Sequence, residues 1–504
     1  MPPMIPDDSP RAVQAAYDLV SEWLREVSAL GSALSLMSWD RETLMAPGST
    51  EGRAPVMASL AGIAHRALVR ADVEPALVAL EELPDCAPAL TSALREVRRR
   101  RTRADRLSED FVRRLSEVQT IASATWIEAR PANDFAGYAA ALTPLVALKR
   151  EEAERLEVGD EPYDGLLDDY EPGARAAWVE PVLSDLRSRL VPLLGEIPQT
   201  DRTQIPGEWP AEGQIALAHA IAGAVGFNID RGVIAISAHP FSSRVHALDV
   251  RLTTRASDDS PLECVLATLH ECGHALYDQS IPPDFEGLPI EEPPSMGAHE
   301  SQARFWENHV GRTRAFWSWV MPLVEQHLPA GAAHVDADVL FRAVTQVRSS
   351  PIRTESDEVT YNLHILLRFE LELALIRGTL SVKDLPEAWS AGMSDLLGIT
   401  PPSDTNGVMQ DIHWPEGLFG YFPTYTLGNL YAAQLADAFE REHGPLETKI
   451  AAGDFARILG FLRERVHIHG GALPTAELMH LATGSPLTSD AFIGHVRRRY
   501  LPGT

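Results

Sequence analysis

Residues 261–279 read PLECVLATLHECGHALYDQ, and this stretch determines how the rest of the chain is interpreted. Apolar residues recur in it at every third or fourth position, which is the pattern of an amphipathic helix. The segment contains His270-Glu271-Cys272-Gly273-His274, an instance of the H-E-x-x-H pattern. A helix turns by about 100° per residue, so His270 and His274 lie about 40° apart and one turn along the axis. Both imidazoles can therefore bind one metal ion, with Glu271 beside it.

This pattern of two histidines and a glutamate predicts a catalytic zinc site. The alternative is that the two histidines are ordinary core or surface residues that bind no metal. Zinc makes a bound water acidic enough for a carboxylate to take its proton while the water attacks a carbonyl. A third protein ligand is needed, and Glu300, in the run His299-Glu300-Ser301-Gln302, follows His274 by 26 residues. That gap accommodates a loop and a returning helix. We predict Glu300 as the third ligand; the alternative is a helix salt bridge with Arg304.

Cys272 and a run of arginines each have a functional and a structural interpretation. Cys272 lies about 200° around the helix from His270, away from the metal, so a small buried residue is favoured over a redox-sensitive thiol. Seven arginines lie between Arg95 and Arg106. Because acidic residues are interspersed with them and the whole chain is acidic, a solvated helix face is favoured over a nucleic-acid-binding patch.

The composition disfavours several classes of partner and location. The 504 residues include 44 Lys and Arg against 71 Asp and Glu, a net charge of −27, which repels nucleic acid and anionic membranes. Three cysteines without a C-x-x-C pair predict neither a disulfide framework nor a thiolate site. The N-terminal residues lack the basic and apolar segments of a signal peptide. We therefore expect a cytoplasmic protein with no nucleic-acid or membrane partner.

Helical periodicity dominates the chain, so the predicted fold class is mainly α. Strand-like patterns are few, and the best are Val233–Ser237 and Leu248–Thr253, a small β element before the zinc helix. A proline-rich polar segment ends near residue 210 and separates two parts of one domain, 1–504. Residues 1–200 form a helical N-terminal or lid part, and residues 211–504 form the zinc-binding catalytic part.

Polar residues on either side of the zinc helix are candidates for substrate binding. Continued as one helix, the segment after residue 351 places Arg353, Asp357, Tyr361 and His364 on one polar stripe, which more often lines a ligand than packs. The fork of an arginine suits a terminal carboxylate. A tyrosine hydroxyl in the segment around Tyr425 is suited to stabilising the oxyanion of a tetrahedral intermediate.

In order along nearly the whole chain, these segments resemble the carboxypeptidase Taq family of zinc metallocarboxypeptidases. The segments that carry the resemblance are Leu36-Met37-Ser38-Trp39-Asp40, residues 162–170 (PYDGLLDDY), His239-Pro240-Phe241, Asp249-Val250-Arg251 with Thr253, residues 270–277 (HECGHALY), residues 299–302 (HESQ), Ile352-Arg353 with Asp357, Asp411-Ile412-His413-Trp414, residues 420–425 (GYFPTY) and Leu427-Gly428-Asn429.

The resemblance implies one helical body with a deep groove and the metal at its floor. It implies a homodimeric enzyme of broad specificity that removes residues one at a time from peptides with a free C-terminal carboxylate. The implied site residues are the zinc ligands His270, His274 and Glu300, the general base Glu271, the substrate-binding residues Arg353, Tyr425, His239 and Arg251, and Asp357 and His299 as supports for the ligands. Cobalt or manganese is possible in place of zinc.

The sequence departs from the family at residues 242–248, SSRVHAL, where glycines are usual. This puts substrate preference in question, because the segment is expected to be a loop near the site. The alternative functions are a helical zinc endopeptidase or dipeptidase, which the H-E-x-x-H pattern also serves, and a catalytically silent scaffold. The intact Glu271 argues against the scaffold, and Arg353 as a carboxylate anchor distinguishes the carboxypeptidase from the endopeptidase.

Overall fold

The computed structural model describes residues 4–6, 8–84, 86–200, 205–258 and 261–501. Residues 201–204 of the predicted division, and residues 1–3 and 7 of the segment compared with a signal peptide, lie outside the described part. The predicted mainly α fold is confirmed. The helices are α1 (Arg11–Thr43), α2 (Thr50–Leu68), α3 (Glu74–Glu81), α4 (Pro88–Arg106), α5 (Glu109–Ala132), α6 (Phe135–Leu156), α7 (Pro162–Tyr170), α8 (Ala176–Glu196), α9 (Ala211–Val225), α10 (Pro261–Asp278), α11 (Met296–Arg304), α12 (Arg314–His327), α13 (Pro329–Ala332), α14 (Ala337–Val344), α15 (Tyr361–Arg377), α16 (Leu385–Leu397), α17 (Pro423–His443), α18 (Leu446–Ala451), α19 (Phe455–Arg465), α20 (Thr475–Thr483) and α21 (Asp490–Tyr500).

A sheet of three strands precedes α10, which confirms the predicted small β element. The strands β1 (Gly232–Ile236), β2 (Ser242–His246) and β3 (Asp249–Thr254) lie in the order β1-β3-β2, with β1 parallel and β2 antiparallel to β3. The predicted loop at residues 242–248 is wrong over β2. Its serines have low strand propensity, but β3 offers a pairing edge and Val245 is buried, so the tertiary contact decides the conformation.

The apolar side chains form three clusters. One combines residues 122–197 with residues 347–433 and α21, so side chains from both sides of the predicted division near residue 200 pack together. A second contains α10, the sheet and α17. The third holds α1, α3 and α4 against Leu288 and Ile290, while α2 buries a single residue, Ala67. The assignment of one domain with a lid part stays a prediction.

The helix predicted to run through Arg353 begins later. Arg353 lies in a 3₁₀ turn, Arg353–Glu355, and α15 starts at Tyr361. Asp357 accepts hydrogen bonds from the backbone N–H groups of Val359 and Thr360, which satisfies donors at the helix start. The predicted single polar stripe is therefore wrong, because its first half is not helical. The chain between α11 and α12 likewise contains a π-helical turn, Phe305–Gly311.

The arginines of α4 attach this helix to its neighbours. Arg98 pairs with Glu74 and Glu81. Arg101 is buried and donates to the carbonyl of Leu68. The prediction of a solvated face is thus wrong for Arg101, whose guanidinium is desolvated and hydrogen-bonded. None of the described helices is long and apolar enough to span a membrane.

Helices α10, α11 and α17 approach each other at two glycines. A Cβ at Gly273 on α10 would collide with the carbonyl oxygen of Gln302 and lie 2.5 Å from the Cα of Ala303. A Cβ at Gly428 on α17 would lie 2.5 Å from Cγ of Glu300. At Gly273, the nearest atoms of α11 are backbone atoms of Gln302 and Ala303, so no side chain can rotate away from an added methyl group. The two glycines therefore set the spacing of these helices.

We predict that Gly273→Ala and Gly428→Ala each lower the free energy of unfolding by about 1–3 kcal/mol, because the added methyl group overpacks the contact. The control is Gly460→Ala on α19, where a Cβ meets no atom within 4 Å and alanine favours the helix by roughly 0.5–1 kcal/mol. Thermal midpoints of the purified variants measure the effect. Equal midpoints for the three variants would contradict this close-packing constraint.

Candidate metal centre

Two helices bring three candidate ligands together. His270 and His274 lie on α10 and Glu300 on α11, and one ligand atom of each residue lies within 4.8 Å of the others. Glu300 Oε2 is 3.6 Å from His270 Nε2 and 3.4 Å from His274 Nε2. The three predicted ligands therefore converge on one small space.

The geometry and charge of these donors fit a divalent cation. Ligand atoms at about 2.1 Å from a tetrahedral ion lie about 3.4 Å apart, close to both separations from Glu300. Histidine nitrogen and carboxylate oxygen are donors that zinc accepts. Burial lowers the pKa of His270, but Glu300 and Glu307 outweigh burial and the net shift is upward. The carboxylates thus favour a positive charge at this place.

Glu307, on the π-helical turn, holds His270 in position. Its Oε2 lies 2.9 Å from His270 Nδ1, and the same carboxylate accepts hydrogen bonds from Arg304 and Arg312. A carboxylate at Nδ1 favours the tautomer with the proton there and leaves Nε2 bare for a metal. The sequence analysis missed Glu307. The available signal was its place seven residues after Glu300, about two helical turns along the chain.

Glu300 makes both of the interactions that were considered as alternatives. Its Oε1 accepts a hydrogen bond from Arg304 Nε at 2.6 Å, while Oε2 faces the two histidines. Burial raises the pKa of Glu300, but Arg304 and His270 outweigh it and hold the pKa well below its usual range. The carboxylate is therefore ionised, which is the form that binds a metal.

Glu271 is enclosed beside the candidate ligands. It is 5% exposed, and no group in the described residues is hydrogen-bonded to its Oε2. Burial raises the pKa of Glu271 to about 7. Burial and the nearby His299 lower the pKa of His274 to about 4, so this ring is neutral. The ring of His299 lies 4.2 Å from that of His274, and its Nε2 lies 3.5 Å from Asp278. The role of His299 as a support for the ligand stays a prediction.

Arg353 belongs to a cluster with one more guanidinium than carboxylates. Arg353 and Arg368 both bind Asp411, at 2.9 Å and 2.5 Å. Burial raises the pKa of Asp411, but the two arginines outweigh it and the net shift is well below the usual range. Asp411 therefore balances one positive charge of the pair, and the cluster keeps a net positive charge that favours an anion.

Tyr361 connects this cluster to the metal centre. The guanidinium groups of Arg304 and Arg353 lie 4.5 Å and 5.8 Å from the centre of the Tyr361 ring. The Tyr361 hydroxyl accepts a hydrogen bond from Arg353 at 3.1 Å. Because Arg304 binds Glu300, Arg353 is separated from the ligand carboxylate by one arginine and one ring.

Tyr425, on α17, lies next to Arg353. The guanidinium of Arg353 is 5.3 Å from the centre of the Tyr425 ring. Burial raises the pKa of Tyr425 well above its usual value, and Glu300 contributes to the rise. The tyrosine hydroxyl is therefore protonated at neutral pH and lies near the candidate metal centre.

The remaining predicted substrate residues contact other groups. Arg251 binds Asp249 through two hydrogen bonds, at 2.8 Å and 2.7 Å, and its guanidinium lies 4.6 Å from the ring centre of Trp39 on α1. His239 is exposed between β1 and β2. Their roles in substrate binding stay predictions.

The prediction that Asp357 supports a ligand histidine is wrong. Its carboxylate accepts hydrogen bonds from the N–H groups of Arg348, Val359 and Thr360 and from the Thr360 hydroxyl. These short local bonds hold Asp357 at the start of α15. Among the described residues, Glu307 is the carboxylate that contacts Nδ1 of a candidate ligand histidine, His270.

A family model described as carboxypeptidase Taq (M32) metallopeptidase matches residues 19–500. The chain belongs to this family. The thermostable carboxypeptidase 1 of Thermus thermophilus is 40% identical over 97% of this chain and 98% of its own length. Carboxypeptidase 1 of Bacillus subtilis is 31% identical over 95% and 96%. The crystal structure of the M32 carboxypeptidase from Deinococcus radiodurans R1 superposes with a TM-score of 0.93 at 35% identity, covering 96% of this chain and 99% of the other.

Membership of the M32 family confirms the resemblance found in the sequence and shows a metallocarboxypeptidase, a peptide hydrolase. A divalent metal follows from the family. The cluster of His270, His274 and Glu300 is the group of metal-binding side chains found among the described residues of this M32 chain.

The contact of Glu307 with His270 predicts that Glu307→Gln weakens metal binding by about 10- to 100-fold, since an outer carboxylate orients its histidine and strengthens it as a ligand. Competition with a chelator, followed by metal analysis, measures this. The control is Glu117→Gln on α5, an exposed partner of Arg113. Unchanged metal retention in Glu307→Gln would show that the contact does not support the site.

Proposed function

We propose that this M32 chain releases single residues from the C-termini of peptides, with broad specificity, and that zinc is its metal. The observation that carries the proposal is the convergence of His270, His274 and Glu300 beside the buried Glu271. A cationic cluster around Arg353 lies nearby. An end-trimming hydrolase needs both an activated water and an anchor for a terminal carboxylate.

His270, His274 and Glu300 would hold the metal. A bound zinc ion polarises a peptide carbonyl and makes water more acidic. Cobalt and manganese accept the same ligand types, so they are the alternatives to zinc. The contacts of Glu307 and Arg304 keep the nitrogen of His270 and the carboxylate of Glu300 oriented toward each other.

Glu271 would act as the general base that takes a proton from the attacking water. Its carboxylate is buried next to the ligands, and burial raises its pKa to about 7. A base with a pKa near the working pH exchanges protons most effectively. It would then deliver the proton to the leaving amine. The Oε2 atom has no hydrogen bond within the described residues that would have to break first.

Arg353 would bind the terminal carboxylate of the peptide. The choice between Arg353 and Arg251 follows from charge: Arg251 is matched one-to-one by Asp249, whereas Arg353 and Arg368 share Asp411. An incoming carboxylate completes the charge balance at Arg353 and would compete with Asp249 at Arg251. Tyr425, beside Arg353, would donate a hydrogen bond from its hydroxyl to the oxyanion that develops on the scissile carbonyl.

The predicted homodimer and cytoplasmic location belong to this proposal as well. They derive from the family resemblance, the composition and the cysteine content.

Glu271→Gln should separate metal binding from chemistry. The amide keeps the size of the carboxylate but accepts no proton, so we expect full metal content and a loss of turnover of about 10²- to 10⁴-fold. Glu263→Gln, an exposed position on the same helix that pairs with Arg255, is the control and should leave both unchanged. Activity of Glu271→Gln within a few-fold of wild type would remove Glu271 from the mechanism.

Paired peptides with a free or an amidated C-terminus test the anchor and the function together. The acid should be trimmed about 10- to 100-fold faster than the amide, because a charge-assisted hydrogen bond contributes about 1.5–3 kcal/mol. Arg353→Ala should remove most of this preference, and Arg353→Lys should keep part of it. Mass spectrometry of the products, with and without a chelator, follows the reaction.

Arg251→Ala serves as the matched control in this experiment and should keep the preference for the acid. Loss of the preference in Arg251→Ala, with Arg353→Ala unaffected, would move the anchor to the sheet. Cuts inside the peptide, equal for acid and amide, would contradict the carboxypeptidase proposal and favour an endopeptidase.

A further inference from the structure

His413 lies in the segment after α16 and contacts Tyr425 directly. It is 7% exposed, and its Nε2 lies 3.2 Å from the Tyr425 hydroxyl oxygen. The imidazole stacks on the ring of Phe422, with ring centres 4.3 Å apart and planes 29° from parallel. The stacking fixes the ring plane and therefore the direction of the bond to Tyr425.

The other ring nitrogen determines which tautomer this contact uses. Nδ1 has no hydrogen-bond partner in the described part of the chain, and that atom is buried from solvent. Burial lowers the pKa of His413 to about 3, so the ring is neutral and carries one proton. A proton on Nδ1 would leave a buried donor without an acceptor, which is rarer in proteins than an unpaired acceptor. The proton therefore belongs on Nε2.

The direction of the Tyr425 hydroxyl proton follows from this tautomer. With Nε2–H donating to the Tyr425 oxygen, the tyrosine's own proton must point elsewhere. The ring of Tyr421 lies beside that of Tyr425, with ring centres 5.2 Å apart, and His413 Nε2 takes one side of the Tyr425 oxygen at 3.2 Å. The Tyr425 proton is thus directed away from His413. Donation to the oxygen also polarises the O–H group and makes it a stronger donor.

We propose that His413 is a positioning residue for the hydrolytic reaction: by donating from Nε2 to Tyr425, it directs the Tyr425 proton toward the carbonyl oxygen of the substrate. This inference rests on the function proposed above and extends it. His413 itself touches no reacting atom. Its effect should appear only when charge develops on the carbonyl oxygen, and substrate binding should change little.

Two amide variants of His413 differ in reach and test the proposal. His413→Gln places an amide nitrogen near the position of Nε2 and can still donate to Tyr425. The shorter side chain in His413→Asn reaches only the position of Nδ1, so it cannot donate a hydrogen bond to Tyr425. We expect His413→Asn to lower kcat about 10- to 100-fold with KM within about threefold, since loss of one oxyanion donor costs about 10²- to 10³-fold and a misdirected one less. His413→Gln should stay within about threefold of wild type.

A double variant distinguishes positioning from a general structural role. In a Tyr425→Phe background there is no hydroxyl to direct, so adding His413→Asn should reduce kcat by no more than about twofold. In a Glu271→Gln background, calorimetry should show the same affinity for a free-acid peptide with and without the additional change His413→Asn. A fall in affinity as large as the fall in kcat would overturn the proposal.

The outcomes separate this inference from the proposed function. A wild type that releases no C-terminal residue overturns the proposed function. If the wild type is active, two outcomes overturn only the role of His413. One is an equal kcat in His413→Asn and His413→Gln. The other is a loss of kcat from His413→Asn that is equal with and without the Tyr425 hydroxyl. If His413→Asn does not fold, His413→Phe replaces it, because its ring fills the place of the imidazole and has no donor.

Discussion

The close approach of α10, α11 and α17 at Gly273 and Gly428 is the constraint on which the rest of the site depends. Both glycines contact α11, and Gly428 packs directly against the side chain of Glu300. The histidines lie on the first helix, the ligand carboxylate on the second, and Tyr425 on the third. A side chain at either glycine would push the helices apart and separate the histidines, the ligand carboxylate and Tyr425, which must lie within a few ångströms of one another. The placement of the ligands therefore depends on the spacing of the helix backbones.

Much of this arrangement could be predicted from the sequence because it depends on local periodicity and short spacing. The helical pattern in residues 261–279 corresponds to Pro261–Asp278, since apolar residues on one side and a paired motif on the other leave few alternatives. Glu300 lies where one loop and a returning helix bring it. The patterns at Val233–Ser237 and Leu248–Thr253 became β1 and β3 within a residue at each end.

The predictions that were wrong or incomplete have two physical causes. One is contact between residues that are distant in sequence, and the other is competition for backbone hydrogen-bond donors. Asp357 fitted a helical stripe, but its carboxylate binds backbone N–H groups and starts the helix after itself, as short polar side chains often do. The spacing of Glu307 from Glu300 did not by itself identify the partner of His270, because a π-helical turn brings Glu307 to the ring. Asp411 and His413 were visible as a motif, yet their chemistry depends on which arginines and tyrosines surround them.

The small number of buried side chains on α2 has a consequence for how easily its backbone hydrogen bonds open. A 19-residue helix with one buried side chain contributes little apolar burial, and helical stability in proteins derives mostly from such packing. Its amides should therefore exchange with deuterium through local opening, at a free-energy cost far below that of global unfolding, while the amides of α10 and α17 exchange only through the largest openings. The helices thus differ in thermodynamic cooperativity: α10 and α17 should open together as part of one large unit, whereas α2 should open separately from them.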